Sequence, residues 1–214
     1  MPTRIFHWAL AAAVVGLVIT AKVGGNAMEW HFRLGYTVLA LLAFRLVWGF
    51  VGGYWSRFAR FVYTPSSVFR YIRGGSRPDE FHDVGHNPLG SLSVYALFVV
   101  LLLQVGSGLV SDDEIASSGP LVRFVSTETS SRLTALHTEV GQWLVIGLVA
   151  LHVVAILFYV LVKRKTLVRP MITGDKDLPA GVPPSGDSWA TRAAAALLFA
   201  LTVWMAAWVA GLRI

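Results

Sequence analysis

Five blocks of apolar sequence, each long enough to cross a bilayer, constrain this chain more than any other feature. They run over about Ile5–Val23, His31–Val51, Leu89–Val110, Ala135–Val162 and Trp189–Leu212. Crossing the hydrocarbon takes roughly 20 residues of helix. Lipid offers no partner to open backbone, so each block must be helical. The expected fold is all-α: an integral membrane four-helix bundle plus a fifth, C-terminal transmembrane helix. Only 14% of the 214 residues are charged, against about a quarter in soluble domains, so little chain is left for a soluble domain. Residues 1–162 form the expected four-helix domain, 163–188 a cytoplasmic linker and 189–214 the last helix. The fourth block is longer than a span needs, so it is expected to tilt or to project beyond the bilayer.

Loop charges set the expected orientation. Arg57, Arg60, Arg70, Arg73 and Arg77 lie between the second and third blocks. Lys163, Arg164, Lys165, Arg169 and Lys176 lie between the fourth and fifth. Both groups share a side with Arg4. The other side has only Lys22, Arg33, Arg123, Arg132 and Arg213, together with the acidic run Asp112–Glu114. Positive loops stay inside, so the N-terminus is expected in the cytoplasm and the C-terminus in the periplasm. The first block has some features of a cleaved signal, but its run is long and Lys22-Val23-Gly24-Gly25 is a poor cleavage site. It is expected to remain as a span. The net charge of +6 is then a membrane feature, and nucleic acid is not an expected partner. Residues 54–77 interleave aromatics with arginines, as an interfacial segment on anionic lipid does. With no cysteine in the chain, disulfides, c-type haem attachment, iron–sulfur clusters and thiolate zinc sites are excluded.

Polar side chains inside a span are costly and ask for a partner or a function. Four of the six histidines lie in spans. His7 is near the inner end of the first, His31 opens the second at the outer side, His137 is near the outer end of the fourth, and His152 lies further in along it. They sort into two levels, His31 with His137 outside and His7 with His152 inside, each level drawing on two helices. Bis-histidine ligation of a haem iron needs that arrangement. The 15-residue step from His137 to His152 rises about 22 Å and leaves the side chains about 60° apart on an ideal helix. Two haems stacked across a core of about 30 Å suit that rise. Small residues follow three of the histidines by four, where they share a face: Ala11 after His7, Gly35 after His31 and Gly141 after His137. The alternative for any single histidine is a hydrogen-bonded residue at a helix end. A zinc site would want its ligands together, and these stand at two depths. Met28 is read as loop packing.

Arg45 lies deep in the second block, where it either pairs with a propionate of the inner haem or snorkels to the interface. Arg33, beside His31, is expected to serve the outer haem in the same way. His82 and His86 are read as loop and capping residues rather than as a proton relay, with His86-Asn87 capping the third span. Gly106-Ser107-Gly108 offers a close approach for a helix or a haem.

Several segments carry a family resemblance: RIFHW at 4–8, WHFRLGY at 30–36, FRLVWGFVG at 44–52, GHNPLG at 85–90, LHTEVGQWLVIGLVALHVVAILFY at 136–159 and RPMITG at 169–174. The chain resembles the bacterial cytochrome b561 type of di-haem membrane cytochrome, which includes the b-type subunits of membrane nickel–iron hydrogenases. The resemblance implies two haem b groups, one on His7 and His152 and one on His31 and His137, the pairing that depth gives independently. It also implies electron transfer in the bacterial cytoplasmic (inner) membrane, between a periplasmic c-type cytochrome or dehydrogenase/hydrogenase and quinone or quinol. The fifth helix lies outside the four-helix core of smaller members. Two other readings stay open: a quinone reductase driven by a small molecule such as superoxide, and a haem-free scaffold or sensor. Self-association into a homo-oligomer is left open as well.

Overall fold

The computed structural model describes residues 1–75, 85–115, 117–174, 182, 186 and 188–212. The described residues form helices α1 (Pro2–Val23), α2 (Ala27–Val51), α3 (Pro65–Ile72), α4 (Pro88–Leu109), α5 (Thr127–Ala135), α6 (Gln142–Leu161), α7 (Val168–Thr173) and α8 (Trp189–Ala210). A single π-helical turn, Leu136–Gly141, joins α5 to α6. Five of these stretches are long and apolar enough to span a membrane, α5–α6 counting as one helix of 35 residues.

The helix starts have local causes. The side chains of Thr64, Asn87, Ser126 and Ser188 each accept the amide of the residue three further on, which satisfies one of the four orphan donors of a helix N-terminus. Asn87, not His86, is therefore the cap of α4. Between α1 and α2 the chain reverses through Gly24 and Gly25, both at positive φ (65° and 53°), a conformation that side chains with a Cβ resist. Two boundaries differ from the apolar blocks. α2 begins at Ala27, so His31 sits one turn inside the helix rather than opening it. The fourth span begins at Thr127, because the Ser126 cap and the polar turns after it are helical as well. At 1.5 Å per residue a helix of 35 residues is longer than the hydrocarbon is thick, and the added turns lie at the end that carries His137.

Helices α1, α2, α4 and α6 enclose one apolar layer of Ala13, Val14, Val38, Leu42, Leu101 and Val145. The sequence positions put it between the two histidine levels. α8 lies against α2, in a second cluster formed by Phe6, Leu41, Phe44, Trp48 and Ala195. Its buried residues are Ala195, Thr202 and Ala206, small side chains that let two membrane helices approach closely.

The interfacial segment is not uniformly turned to lipid. α3 exposes Phe69 and Ile72, and Arg73 lies 4.0 Å over the Phe69 ring. Phe61, by contrast, is 3% exposed. The Phe58 ring reaches Tyr95 and Phe98 of α4. Gly49 makes room for it, since a Cβ there would run into the Phe58 ring.

Candidate functional site

The four span histidines meet in two pairs. His7 and His152 have ring centres 6.4 Å apart, and His31 and His137 have theirs 6.3 Å apart. An imidazole nitrogen binds a transition metal at about 2 Å, and that nitrogen lies about 1 Å from its ring centre. Two imidazoles sharing one metal therefore have centres about 6 Å apart. Each pair is spaced for one ion between its rings. No cluster of three or more His, Cys, Asp or Glu suited to a metal occurs among the described residues.

At the outer level both rings are held from behind. His31 Nδ1 lies 3.1 Å from the Leu17 carbonyl oxygen, and His137 Nδ1 lies 2.9 Å from that of Gln104. A carbonyl only accepts, so each Nδ1 carries the hydrogen and each Nε2 keeps its lone pair for a metal. The Gln104 side chain also donates from Nε2 to the His137 carbonyl at 3.0 Å. That carbonyl lies in the π-turn, and such turns collect at functional sites. One extra residue in the turn changes the 60° offset between His137 and His152 by about one 100° step, to about 40° on the other side, so both still face inward.

A cavity of about 450 Å³ opens beside this pair, lined by Val14, Leu17, Gly35, Tyr36, Gly108 and Ile146 among others. It falls within the roughly 300–1,000 Å³ of cofactor and ligand sites. Gly35 borders it, and a Cβ there would meet nothing. Gly141 does not face it; a Cβ at Gly141 would strike the Gln104 side chain, so this glycine makes room for the residue that holds His137. Arg33 is also placed differently from the expectation. It lies two residues beyond His31, about 200° around the helix, and pairs with Glu29 at 2.5 Å on the exposed face. Lys22 lines the cavity instead, and its ammonium donates to Gln142 at 3.0 Å.

At the inner level the surroundings differ. His152 Nδ1 is 3.4 Å from the Ser93 hydroxyl, and His7 Nδ1 is buried with no hydrogen-bond partner. Arg45 does not snorkel: it is 5% exposed, its guanidinium lies 4.5 Å over the Phe58 ring, and its Nη1 has no partner. A buried, incompletely paired arginine fits an anionic group such as a carboxylate. His86, just before α4, lies against Phe61 with ring centres 5.0 Å apart. The residue is exposed. Surrounding protein that limits its hydration, and then the neighbouring charges of Arg45, His152 and His7, lower its pKa. His86 thus belongs beside the inner pair, where reading it as a loop residue did not put it. His82 lies outside the described residues.

A latch closes the end of the bundle that carries His7. Arg4 donates to the Ile172 carbonyl at 2.8 Å, and the Trp8 indole donates to that of Met171 at 3.0 Å. These residues flank His7 on α1, and the carbonyls belong to α7, which follows the His152 helix. Gly174 ends α7 at φ +90°, and a Cβ there would meet the Arg4 guanidinium at 2.5 Å. The latch, Gln104 and Ser93 all escaped the sequence reading. Gln104 did leave a signal, as an amide within an otherwise apolar run.

Transmembrane helices that hold two facing imidazole pairs, with Nδ1–H given to backbone at one level and an unpaired buried arginine at the other, define a multi-pass membrane cytochrome of the b type. The chain belongs to the prokaryotic cytochrome b561 family, whose model matches residues 1–174. It is 24% identical over 208 residues to the probable Ni/Fe-hydrogenase B-type cytochrome subunit of Bradyrhizobium diazoefficiens, covering 82% of this chain and 83% of that one. With the probable Ni/Fe-hydrogenase 1 B-type cytochrome subunit of Escherichia coli K12 it shares 25% identity, over 81% of this chain and 87% of the other. The corresponding Rhodobacter capsulatus subunit is 24% identical, over 82% and 79%. No solved structure matches the chain significantly. The family carries haem b and transfers electrons in the membrane. Here the fit rests on the paired rings, the free Nε2 positions of His31 and His137, the cavity and the orphaned Arg45 Nη1. The family match ends at residue 174, before α8.

Proposed function

We propose that the chain carries electrons across the bacterial cytoplasmic membrane through two b-type haems, one on His7 and His152 and the other on His31 and His137. The N-terminus lies in the cytoplasm. The outer pair exchanges electrons with a periplasmic redox partner, and the inner pair with the membrane quinone pool. The observation that carries this reading is the equal spacing of the two pairs, 6.4 and 6.3 Å between ring centres. Relatives named as hydrogenase cytochrome subunits support a nickel–iron hydrogenase as the periplasmic partner, with a c-type cytochrome as the other candidate. When bound, haem supplies a one-electron iron couple; the chain supplies ligands, orientation and electrostatics.

Each residue then has a defined task. Leu17 and Gln104 orient the outer imidazoles, and Gly35 and Gly108 leave space beside them. Arg45 answers a propionate at the inner level. Arg4 and Trp8 hold the His7 end of α1 to α7. Reduced-minus-oxidised visible spectra, with haem counted per chain, test the reading directly. Two b haems per chain are expected, and none would end it.

The latch makes a prediction of its own. Arg4→Gln removes the bond to Ile172 and loosens α1 beside His7. Haem occupancy at the inner pair should fall while the outer pair keeps its full complement, as read from haem-to-protein ratio and from the two low-spin signals in electron paramagnetic resonance. Equal loss from both levels would show that Arg4 supports the bundle generally.

A further inference from the structure

The two histidine pairs are not held alike, and the differences share a sign. We propose that the chain makes His7 and His152 the tighter site for an electron, and His31 and His137 the weaker. This rests on the two-haem reading above.

The first difference is hydrogen bonding. An imidazole that gives its N–H to a carbonyl becomes a more basic ligand through its other nitrogen. A more basic ligand favours the oxidised metal and lowers its potential. Both outer histidines are so placed, at 3.1 and 2.9 Å from backbone carbonyls. At the inner level His152 faces only a hydroxyl, at 3.4 Å, near the limit for a hydrogen bond. His7 Nδ1 faces no partner at all.

The second difference is charge. Reduction adds one negative charge to a site, and a cation in a low-dielectric surrounding stabilises that change far more than one in water. Arg45 is such a cation. It is 5% exposed, lies over Phe58 and near Phe61, and has Tyr95 and His86 as its titratable neighbours. The outer level has Arg33, exposed and paired with Glu29, and Lys22, also exposed, which is the one that lines the cavity. Asp113 lines the same cavity, so opposite charge and solvent screen it.

With haem held at both pairs, an electron delivered at the outer level by a periplasmic reductant would run downhill to the inner level. One site is oxidised by one electron as the other is reduced by one, and no bond is made or broken. The direction is inward, toward the face that carries Arg45 and His86.

Potentiometric titration of the purified full-length protein, followed by visible and paramagnetic resonance spectra, tests this. Two separate waves are expected. His152→Ala should keep the lower wave and His137→Ala the upper one. Arg45→Gln should shift the upper wave down and leave the lower unmoved, while Arg45→Lys keeps it near its original place. Coincident waves, the reverse assignment, or an Arg45→Gln shift confined to the lower wave would overturn the proposal. If Arg45→Gln fails to retain haem, the two histidine variants decide the order alone. Fewer than two haems in the unaltered chain would sink the two-haem reading itself; two haems in the reverse order would sink only this one.

Discussion

His152→Ala should yield a folded protein that has lost half of its haem. The ring of His152 faces that of His7 with centres 6.4 Å apart, and its hydrogen-bonding neighbour, Ser93, is 3.4 Å away. Removing it leaves His7 opposite an empty position, so a haem at that level would be held by one histidine instead of two. The outer pair lies beyond the layer of Ala13, Val14, Val38, Leu42, Leu101 and Val145, and none of its ligands or carbonyl anchors touches His152. Haem content should therefore fall from two per chain to one, with the remaining haem still bis-histidine ligated. His7→Ala should do the same. Haem-to-protein ratio and the low-spin ferric signals read the outcome. Loss of both haems, or of neither, would break the assignment of partners.

Gly108→Val should produce the complementary loss. An ideal Cβ at Gly108 would stand 2.8 Å from Cε1 of His137, closer than real Cβ atoms come, and 3.2 Å from its Nδ1. The ring cannot yield cheaply, because its Nδ1 is bonded to the Gln104 carbonyl and its own carbonyl is held by the Gln104 side chain. A branched residue adds two further carbons on the same side. His137 must then turn away from His31, and the outer haem should be lost while the inner one stays. Gly106 provides the control, since a Cβ there meets nothing; Gly106→Ala should keep both haems. Equal haem content in Gly108→Val and Gly106→Ala would show that the close approach at Gly108 is not what seats the ring.

Much of the architecture was legible because membrane helices obey a strict rule: apolar runs of sufficient length have no alternative to helix. All five spans could be placed that way. The pairing of His7 with His152 and of His31 with His137 was also accessible, since depth follows from residue count at a fixed rise per residue. What surrounds each ring was not. Gly141 stands four residues from His137, as Gly35 does from His31, yet one faces Gln104 and the other the cavity. Spacing along one helix cannot say which neighbour fills the space beside it, least of all through a π-turn. Arg33 and Arg45 looked alike as arginines within a span. Their fates differ because Glu29 is one helical turn before Arg33, while Arg45 meets Phe58 and Phe61 from a loop more than a dozen residues away.

The chain's own order of residues, then, determined that it lies in a membrane, how many times it can cross and which histidines share a level, because hydropathy and helical rise are local properties. Tertiary structure alone decided that the outer rings are anchored to carbonyls of neighbouring helices, that the inner ones are not, and that Arg45 and His86 lie together at the inner level. Those facts depend on which helices touch, and contact between residues distant in sequence has no local signature.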